Sequence, residues 1–209
     1  QFIPLAEESH LIRDIGAWVL NQVCGDYAAW QKEIADPGMV AINLSLKELS
    51  QASFIPHCRS VFEKHGVSPS RVELEITETT LMLDAERTLP LLDELRSMGI
   101  HLSIDDFGTG YSSLSALQQF PISTLKIDRS FVTNAASDPD DATIVRTIIE
   151  MGRSLGLQVI AEGIETEEQR YFLLHSGCQM GQGRLFGDAI SSDAFLDLLL
   201  RQATGEHPV

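Results

Sequence analysis

Basic residues are scarce in this chain. Its 209 residues hold 15 Lys and Arg against 30 Asp and Glu, a formal net charge of −15 at pH 7. A surface for a nucleic-acid polymer or an anionic membrane needs clustered Lys and Arg, so neither is expected as a partner of this domain. An acidic chain still binds anionic ligands where divalent metals invert the local charge. Cysteine is sparse too: Cys24, Cys58 and Cys178 are odd in number, scattered and without C-x-x-C spacing. That argues against zinc and for a reducing compartment. No apolar run has the length of a membrane-crossing helix, and the first residues do not read as a signal peptide. A cytoplasmic location is expected, including as the cytoplasmic part of a larger, membrane-attached protein. No low-complexity linker splits the chain; its loosest stretch, Asn134 to Asp141 ("NAASDPDD"), reads as an exposed turn into a helix. What is present is 44% hydrophobic and 22% charged, a globular composition at a length that suits one domain.

One pattern recurs along the chain. A helical stretch ends in Gly, an apolar strand follows, and the strand ends in an acid or amide. The four instances are "KHGVSPSRVELEITE", "SMGIHLSIDD", "SLGLQVIAEG" and "HSGCQMGQG". Gly66, Gly99, Gly156 and Gly177 stand where a helix C-cap wants a left-handed residue. Two further strands, "MVAINLS" and "STLKID", lack that lead-in. All are short apolar runs, as expected of strands buried on both faces.

Between them lie amphipathic helices. Leu11, Ile12, Ile15, Trp18, Val19 and Val23 share one face at helical spacing, as do Leu91, Leu92, Leu95 and Met98, and Ile144, Val145, Ile148 and Ile149. Alternating strands and helices imply a parallel sheet. The count is six strands, after an opening helix in "FIPLAEESHLI". A closed β/α barrel has eight strands and typically about 250 residues. An open doubly wound sheet accommodates six.

The polar residues separate the two. Asn43, Glu75, Asp105 with Asp106, Lys126, Glu162 and Gln182 mark the C-terminal ends of the six strands. In a β/α barrel those ends converge on the rim that carries the active site. In an open sheet they string out along an edge. Singly, each has a local explanation. Asn43 or Glu75 could cap a helix, Glu78 opens one, Lys126 could be a strand-edge charge, Glu162 and Glu165 could be first-turn acids, and Gln182 could sit in a turn. Six strands with the same feature at the same end favour a shared cation site. Oxygen donors of this kind suit Mg²⁺ or Mn²⁺. "SIDDFGTGYSSL" then needs a reason for its paired acids, since two carboxylates 4 Å apart repel by about 4 kcal/mol at a surface-like dielectric.

The strings "FIPLAEESHLI", "VAINLS", "LEITET", "IDDFGTGYSSL", "LKIDRSFV", "VIAEGIET" and "GQGRLF", in this order over nearly the whole chain, resemble the EAL-domain family of cyclic-di-GMP phosphodiesterases. The resemblance implies a TIM-type β/α barrel. It implies hydrolysis of one phosphodiester bond of cyclic di-GMP to linear pGpG with two Mg²⁺ or Mn²⁺ ions, in bacterial second-messenger signalling. It implies Asn43, Glu75 and Asp105 as ligands of the first metal, and Asp105, Asp106 and Glu162 of the second. Lys126 resembles the lysine that positions or deprotonates the attacking water, and Glu162 a general base. Glu165 and Gln182 resemble supporting, water-orienting groups. Glu78 resembles the anchor of the Gly-rich loop that links the site to a dimer interface. A homodimer and upstream regulatory domains belong to the same expectation.

Two departures stand out. The family's name-giving glutamate, a substrate-contacting arginine and the first two barrel strands are expected upstream of Gln1, making residues 1–209 one N-terminally incomplete domain. Six strands alone would leave open, aggregation-prone edges. Near the end, Arg184, Gly187 and Asp188 replace the family's aromatic and its Ser-Lys-Pro, which touches the substrate rim and not the metal cluster. Two other functions compete with hydrolysis. A sensor that binds cyclic di-GMP without cutting it would usually have lost acidic ligands, and those visible here are all present. An enolase-type lyase also gathers carboxylates around Mg²⁺, but wants a base on each side of its substrate, and only Lys126 is visible.

Overall fold

The computed structural model describes residues 5, 6, 9, 11–83, 85–110 and 117–205. Much of "FIPLAEESHLI", and Tyr111 to Leu114 of the Gly-rich motif, lie outside the described residues. The described chain runs α1 (Leu11–Glu33), β1 (Val40–Asn43), α2 (Leu46–Leu49), α3 (Phe54–His65), β2 (Val72–Thr77), α4 (Glu78–Leu83), α5 (Ala85–Ser97) and β3 (His101–Phe107). It continues with β4 (Thr124–Ile127), α6 (Arg129–Asn134), α7 (Pro139–Ser154), β5 (Gln158–Ala161), α8 (Glu167–His175), β6 (Met180–Gly181) and α9 (Ser192–Ala203). The six strands are the six expected. The glycines of the repeat, Gly66, Gly99, Gly156 and Gly177, all take positive φ, and Gly66 closes α3 as a left-handed cap.

The strands form one parallel sheet in the order β1-β2-β3-β4-β5-β6, identical to their order in the chain. A doubly wound sheet reverses its order at a switch point; this one never does. Side chains also meet across its concave face. Lys126 on β4 touches Glu75 two strands away on β2, and Glu162 just after β5. Neighbouring strands lie about 4.8 Å apart, so groups two strands apart meet this closely only on a curled sheet. The architecture is that of a β/α barrel wall, with β1 and β6 as its outer strands.

The convex face carries the core. Leu74, Ile76, Leu102, Ile104, Leu125 and Ile127 are buried under the helices, joined by Leu92 and Leu95 of α5 and Val145, Ile148 and Ile149 of α7. Burying one such side chain contributes about 1.5–3 kcal/mol.

The buried stripe of α1 differs from the one its spacing suggests. Ile12, Leu20, Cys24, Tyr27 and Trp30 are buried, whereas Leu11 is 55% and Trp18 64% exposed. The apolar stripe of this helix is wider than its contact, and its neighbours decide which edge is covered. α1 packs along α3, Trp30 stacks on Phe195 of α9 with ring centroids 5.0 Å apart, and the Tyr27 hydroxyl donates to the Gly38 carbonyl at 2.7 Å.

Candidate active site and metal centre

Strand parity selects the polar side chains. Successive residues of a strand face opposite sides. With Leu74, Ile76, Leu102, Ile104 and Leu125 facing the helices, Glu73, Glu75, Ser103, Asp105, Thr124 and Lys126 face the concave side. At the centre is the Lys126 ammonium, 3% exposed, with its Nζ 2.7 Å from Glu75 Oε1, 3.4 Å from Asp105 Oδ1 and 2.5 Å from Glu162 Oε1. Gln182 Nε2 donates to the same Glu162 oxygen at 2.7 Å. Asn43 stands beside Glu75 in register on β1, and both line a cavity of about 550 Å³ with Thr77 and Thr80.

Asp106 breaks parity, and a bulge is the reason. Between Ile104↔Leu125 and Phe107↔Ile127 the register of β3 and β4 shifts, setting Asp105 and Asp106 against the single residue Lys126. Asp106 itself has φ of 53°, a left-handed conformation that Asp tolerates better than most side chains. A bulge of this kind re-aims a side chain. Here it lets two consecutive acids reach the same side: oxygens of Asp105, Asp106 and Glu162 lie within 4.8 Å of one another.

The local explanations fail for Asn43, Lys126 and Glu162 and hold for Glu78, which does open a helix. The helix after β1 is capped by Ser45, whose side chain and Glu48 form a capping box, so Asn43 has no capping role. The N-cap of α8 is Thr166, and its first-turn acids are Glu167 and Glu168, so Glu162 lies outside the helix. Lys126 is interior and not at an edge. Glu78 is buried at the start of α4, and its Oε2 accepts from the N–H groups of Gly108 at 2.9 Å and Gly110 at 3.2 Å. A Cβ at Gly110 would meet Glu78 Oε1 at 2.9 Å, so a larger residue there would have to push this carboxylate aside. Glu165 stands apart from the others: its side chain is 57% exposed, 3.7 Å from Arg184, which also reaches Asp188 at 4.0 Å.

Two acids of this face were not singled out in the sequence. Asp128, just past β4, stands beside Asp106 and raises its pKa. Glu73, two residues before Glu75, is 3% exposed and accepts from Thr124 Oγ1 at 2.8 Å. The signal for both was the period of two: each lies two residues from a residue already chosen.

The electrostatics reflect an excess of acids over bases. Burial alone would lower the Lys126 pKa, but hydrogen bonds to Glu162 and Glu75 outweigh it and hold the ammonium above the usual lysine range. Burial raises Glu75 and Glu162, aided by neighbouring acids and only partly offset by Lys126. Asp106 is pushed up to about 6 by burial and by its hydrogen bond with Asp128. For Asp128, burial is outweighed by hydrogen bonds from the Ser130 hydroxyl and N–H, and its carboxyl lies below the usual range.

Five carboxylates around one ammonium leave an uncompensated negative site. Asp105 Oδ1 is buried and accepts no hydrogen bond among the described residues. A donor set of carboxylate oxygens, one of them buried with no hydrogen bond and with the Lys126 ammonium 3.4 Å away, fits a hard divalent cation. Among the described residues Asp105, Asp106 and Glu162 are grouped closely enough that they could hold such an ion, with Glu75 and Asn43 on the neighbouring strands.

A family model described as EAL domain matches residues 1–189. The bifunctional diguanylate cyclase/cyclic di-GMP phosphodiesterase MucR of Pseudomonas aeruginosa is 44% identical over 196 residues, 94% of this chain and 29% of MucR. Cyclic di-GMP phosphodiesterase NbdA of the same organism is 39% identical over 199 residues, 95% of this chain and 25% of NbdA. This chain thus spans less than a third of either curated relative. Among solved structures, the PaMucR phosphodiesterase in its c-di-GMP complex matches with a TM-score of 0.89 at 45% identity, covering 93% of this chain and 78% of that one. The EAL domain of Mycobacterium smegmatis DcpA matches with a TM-score of 0.88 at 38% identity, covering 95% and 88%.

Proposed function

The chain belongs to the EAL domain family, and on that premise we propose that it hydrolyses one phosphodiester bond of cyclic di-GMP to linear pGpG. The observation that carries the reading is the β3 bulge, which gathers Asp105 and Asp106 with Glu162 on one face. In a phosphodiesterase of this kind, two Mg²⁺ or Mn²⁺ ions held by Asn43, Glu75, Asp105, Asp106 and Glu162 would supply charge stabilisation on the phosphoryl oxygens and an acidified water. Lys126 stays an ammonium and orients that water and the phosphate by donating to them. Glu162 is the acceptor for the water's proton; its oxygen is aimed by both Lys126 and Gln182. Glu78 fixes the Gly-rich loop beside Asp106, and Glu165 supports the rim from outside the acidic cluster. Asp128 steers the Asp106 carboxyl.

The relatives support cyclic di-GMP as the ligand, because two of them bear that activity in their names and one is solved with it bound. The reading extends to a homodimer, to regulatory domains elsewhere in the polypeptide and to a cytoplasmic location. No helix among the described residues is long and apolar enough to cross a membrane.

The test is incubation of the natural-length protein with cyclic di-GMP and Mg²⁺ or Mn²⁺, with products identified by mass. Metal-dependent pGpG is the expected product. Tight binding of cyclic di-GMP with no cleavage in either metal would make this a sensor instead.

A further inference from the structure

Beneath the Lys126 cluster lies a second polar tier that the proposed chemistry leaves unused. It repeats the upper tier one pleat lower. Above, Glu75 on β2 pairs with Lys126 on β4 at 2.7 Å, with Asp105 on β3 between them. Below, Glu73 on β2 accepts from Thr124 on β4 at 2.8 Å across β3, where Ser103 is the register partner of Thr124 and of Glu75. Glu73 is 3%, Thr124 1% and Ser103 0% exposed. The Ser103 hydroxyl has no hydrogen-bond partner among the described residues.

Packing alone does not account for this tier. The interior layers of a β/α barrel are dominated by branched apolar side chains. A buried acid is costly even when hydrogen-bonded; Glu73 stands in register with His101 on β3, but its hydrogen bond is to a hydroxyl and it makes no ion pair among the described residues. Both bonds span the same two strands across β3, and each partner in the lower one is two residues from its counterpart above. Stretching the Glu73–Thr124 bond moves the stems of Glu75 and Lys126 directly. From this we infer that Glu73 is a positioning residue: its bond to Thr124 sets the separation of β2 and β4, and so the placement of Glu75 against the Lys126 ammonium. The inference rests on the hydrolytic reading for its effect on rate, but not for its effect on metal binding.

Four variants and their combination test it in the natural-length protein: Glu73→Gln, Glu73→Leu, Thr124→Ser, Thr124→Val and the Leu/Val pair. The readouts are kcat and KM for cyclic di-GMP, Mn²⁺ affinity by calorimetry, and the melting temperature. Gln and Ser keep an oxygen-to-hydroxyl bond and should retain wild-type kcat and Mn²⁺ affinity. The Leu, Val and paired variants should lose about a hundredfold in kcat with KM little changed, the size expected of a small misplacement. Their Mn²⁺ affinity should fall by about tenfold. The pair should be no worse than either single change, because all three break the same bond. Its melting temperature should equal or exceed wild type, since apolar packing replaces a buried acid. A well-folded Leu/Val pair with wild-type kcat and Mn²⁺ affinity overturns the inference, as does a Gln variant as impaired as Leu. If the wild type binds Mn²⁺ but cleaves no cyclic di-GMP, the hydrolytic reading alone has failed, and the Mn²⁺ affinities still decide the role of Glu73.

Discussion

On β2, β3 and β4 the convex face carries Val72, Leu74, Ile76, Leu102, Ile104, Leu125 and Ile127, none more than 2% exposed. The concave face of the same strands carries Glu73, Glu75, Ser103, Asp105, Thr124 and Lys126. The first face is stabilised by removing apolar surface from water. The second takes charges out of water and returns only part of the cost through ion pairs. Stability and chemistry are thus separated by a single backbone repeat, and a one-residue slip in register would exchange them. The bulge at Asp105–Asp106 is where the rule of two is suspended, and it lies at the acidic cluster that could hold a metal. If this division is right, changes on the concave face should alter chemistry with little loss of fold, and changes on the convex face the reverse.

The sharpest break comes at the bulge. Asp105→Asn or Asp106→Asn should reduce hydrolysis by about 10³-fold or more, because either change removes a ligand that the chemistry requires. The metal-free variants should melt no lower than wild type, since each loses one of several crowded negative charges. Near-normal turnover in either would remove the two-metal reading. Lys126→Ala should cost about 10²-fold or more in kcat, the size expected when the attacking water loses its orientation, while calorimetry finds cyclic-di-GMP binding largely kept. An equal loss of binding would reduce Lys126 to a phosphate clamp.

The opposite face supplies the control. Leu102→Ala, between Glu73's neighbour His101 and the polar Ser103, should destabilise the fold by about 2–5 kcal/mol in denaturant titrations. The folded fraction should turn over at the wild-type rate; a fall like that of Lys126→Ala would show that the two faces are not independent. A smaller effect follows from pH. Burial and its acidic neighbours push the Asp106 carboxyl up to about 6, and its proton would have to leave before a cation could be held there. Mn²⁺ affinity should therefore be steady above about pH 7, fall about twofold by pH 6 and by about tenfold at pH 5 from this group. Calorimetry at pH 5 and 7.5 measures it, and a flat profile would place the cation away from Asp106. The smallest effect is at the thiols of the helical layer. Burial pushes Cys24 up to about 11 and Cys58 up to about 12, so neither should be alkylated at pH 7.5 until the protein unfolds.

Much of this division was legible along the chain. The six strands follow from short apolar runs, and the left-handed glycines before four of them from local backbone sterics, which need no tertiary context. The acids at strand ends were visible as a pattern, and the family motifs named the loop after Asp106. The covered edge of α1 was not legible. Its apolar stripe is wider than its contact, and only α3 and α9 settle that Tyr27 and Trp30 go inside while Trp18 stays out. Asp128 and Glu73 were passed over although the period of two pointed at both, because each acid has an ordinary local role until its neighbours are known.

Sequence by itself determined which residues could be strand, helix or turn, and that the strand ends would be polar, three of the six acidic. These depend on backbone sterics and on spacing within about ten residues. Tertiary structure alone decided that the sheet curls without reversing its order, that Lys126 meets Glu75 and Glu162, and that Thr124 reaches Glu73. It also decided that Asp106 turns to the same side as Asp105. Each of these is a contact between segments far apart in the chain, or a register set by the neighbouring strand. A local pattern carries no information about such a distance, because the energy that fixes it comes from the helices packed on the other face.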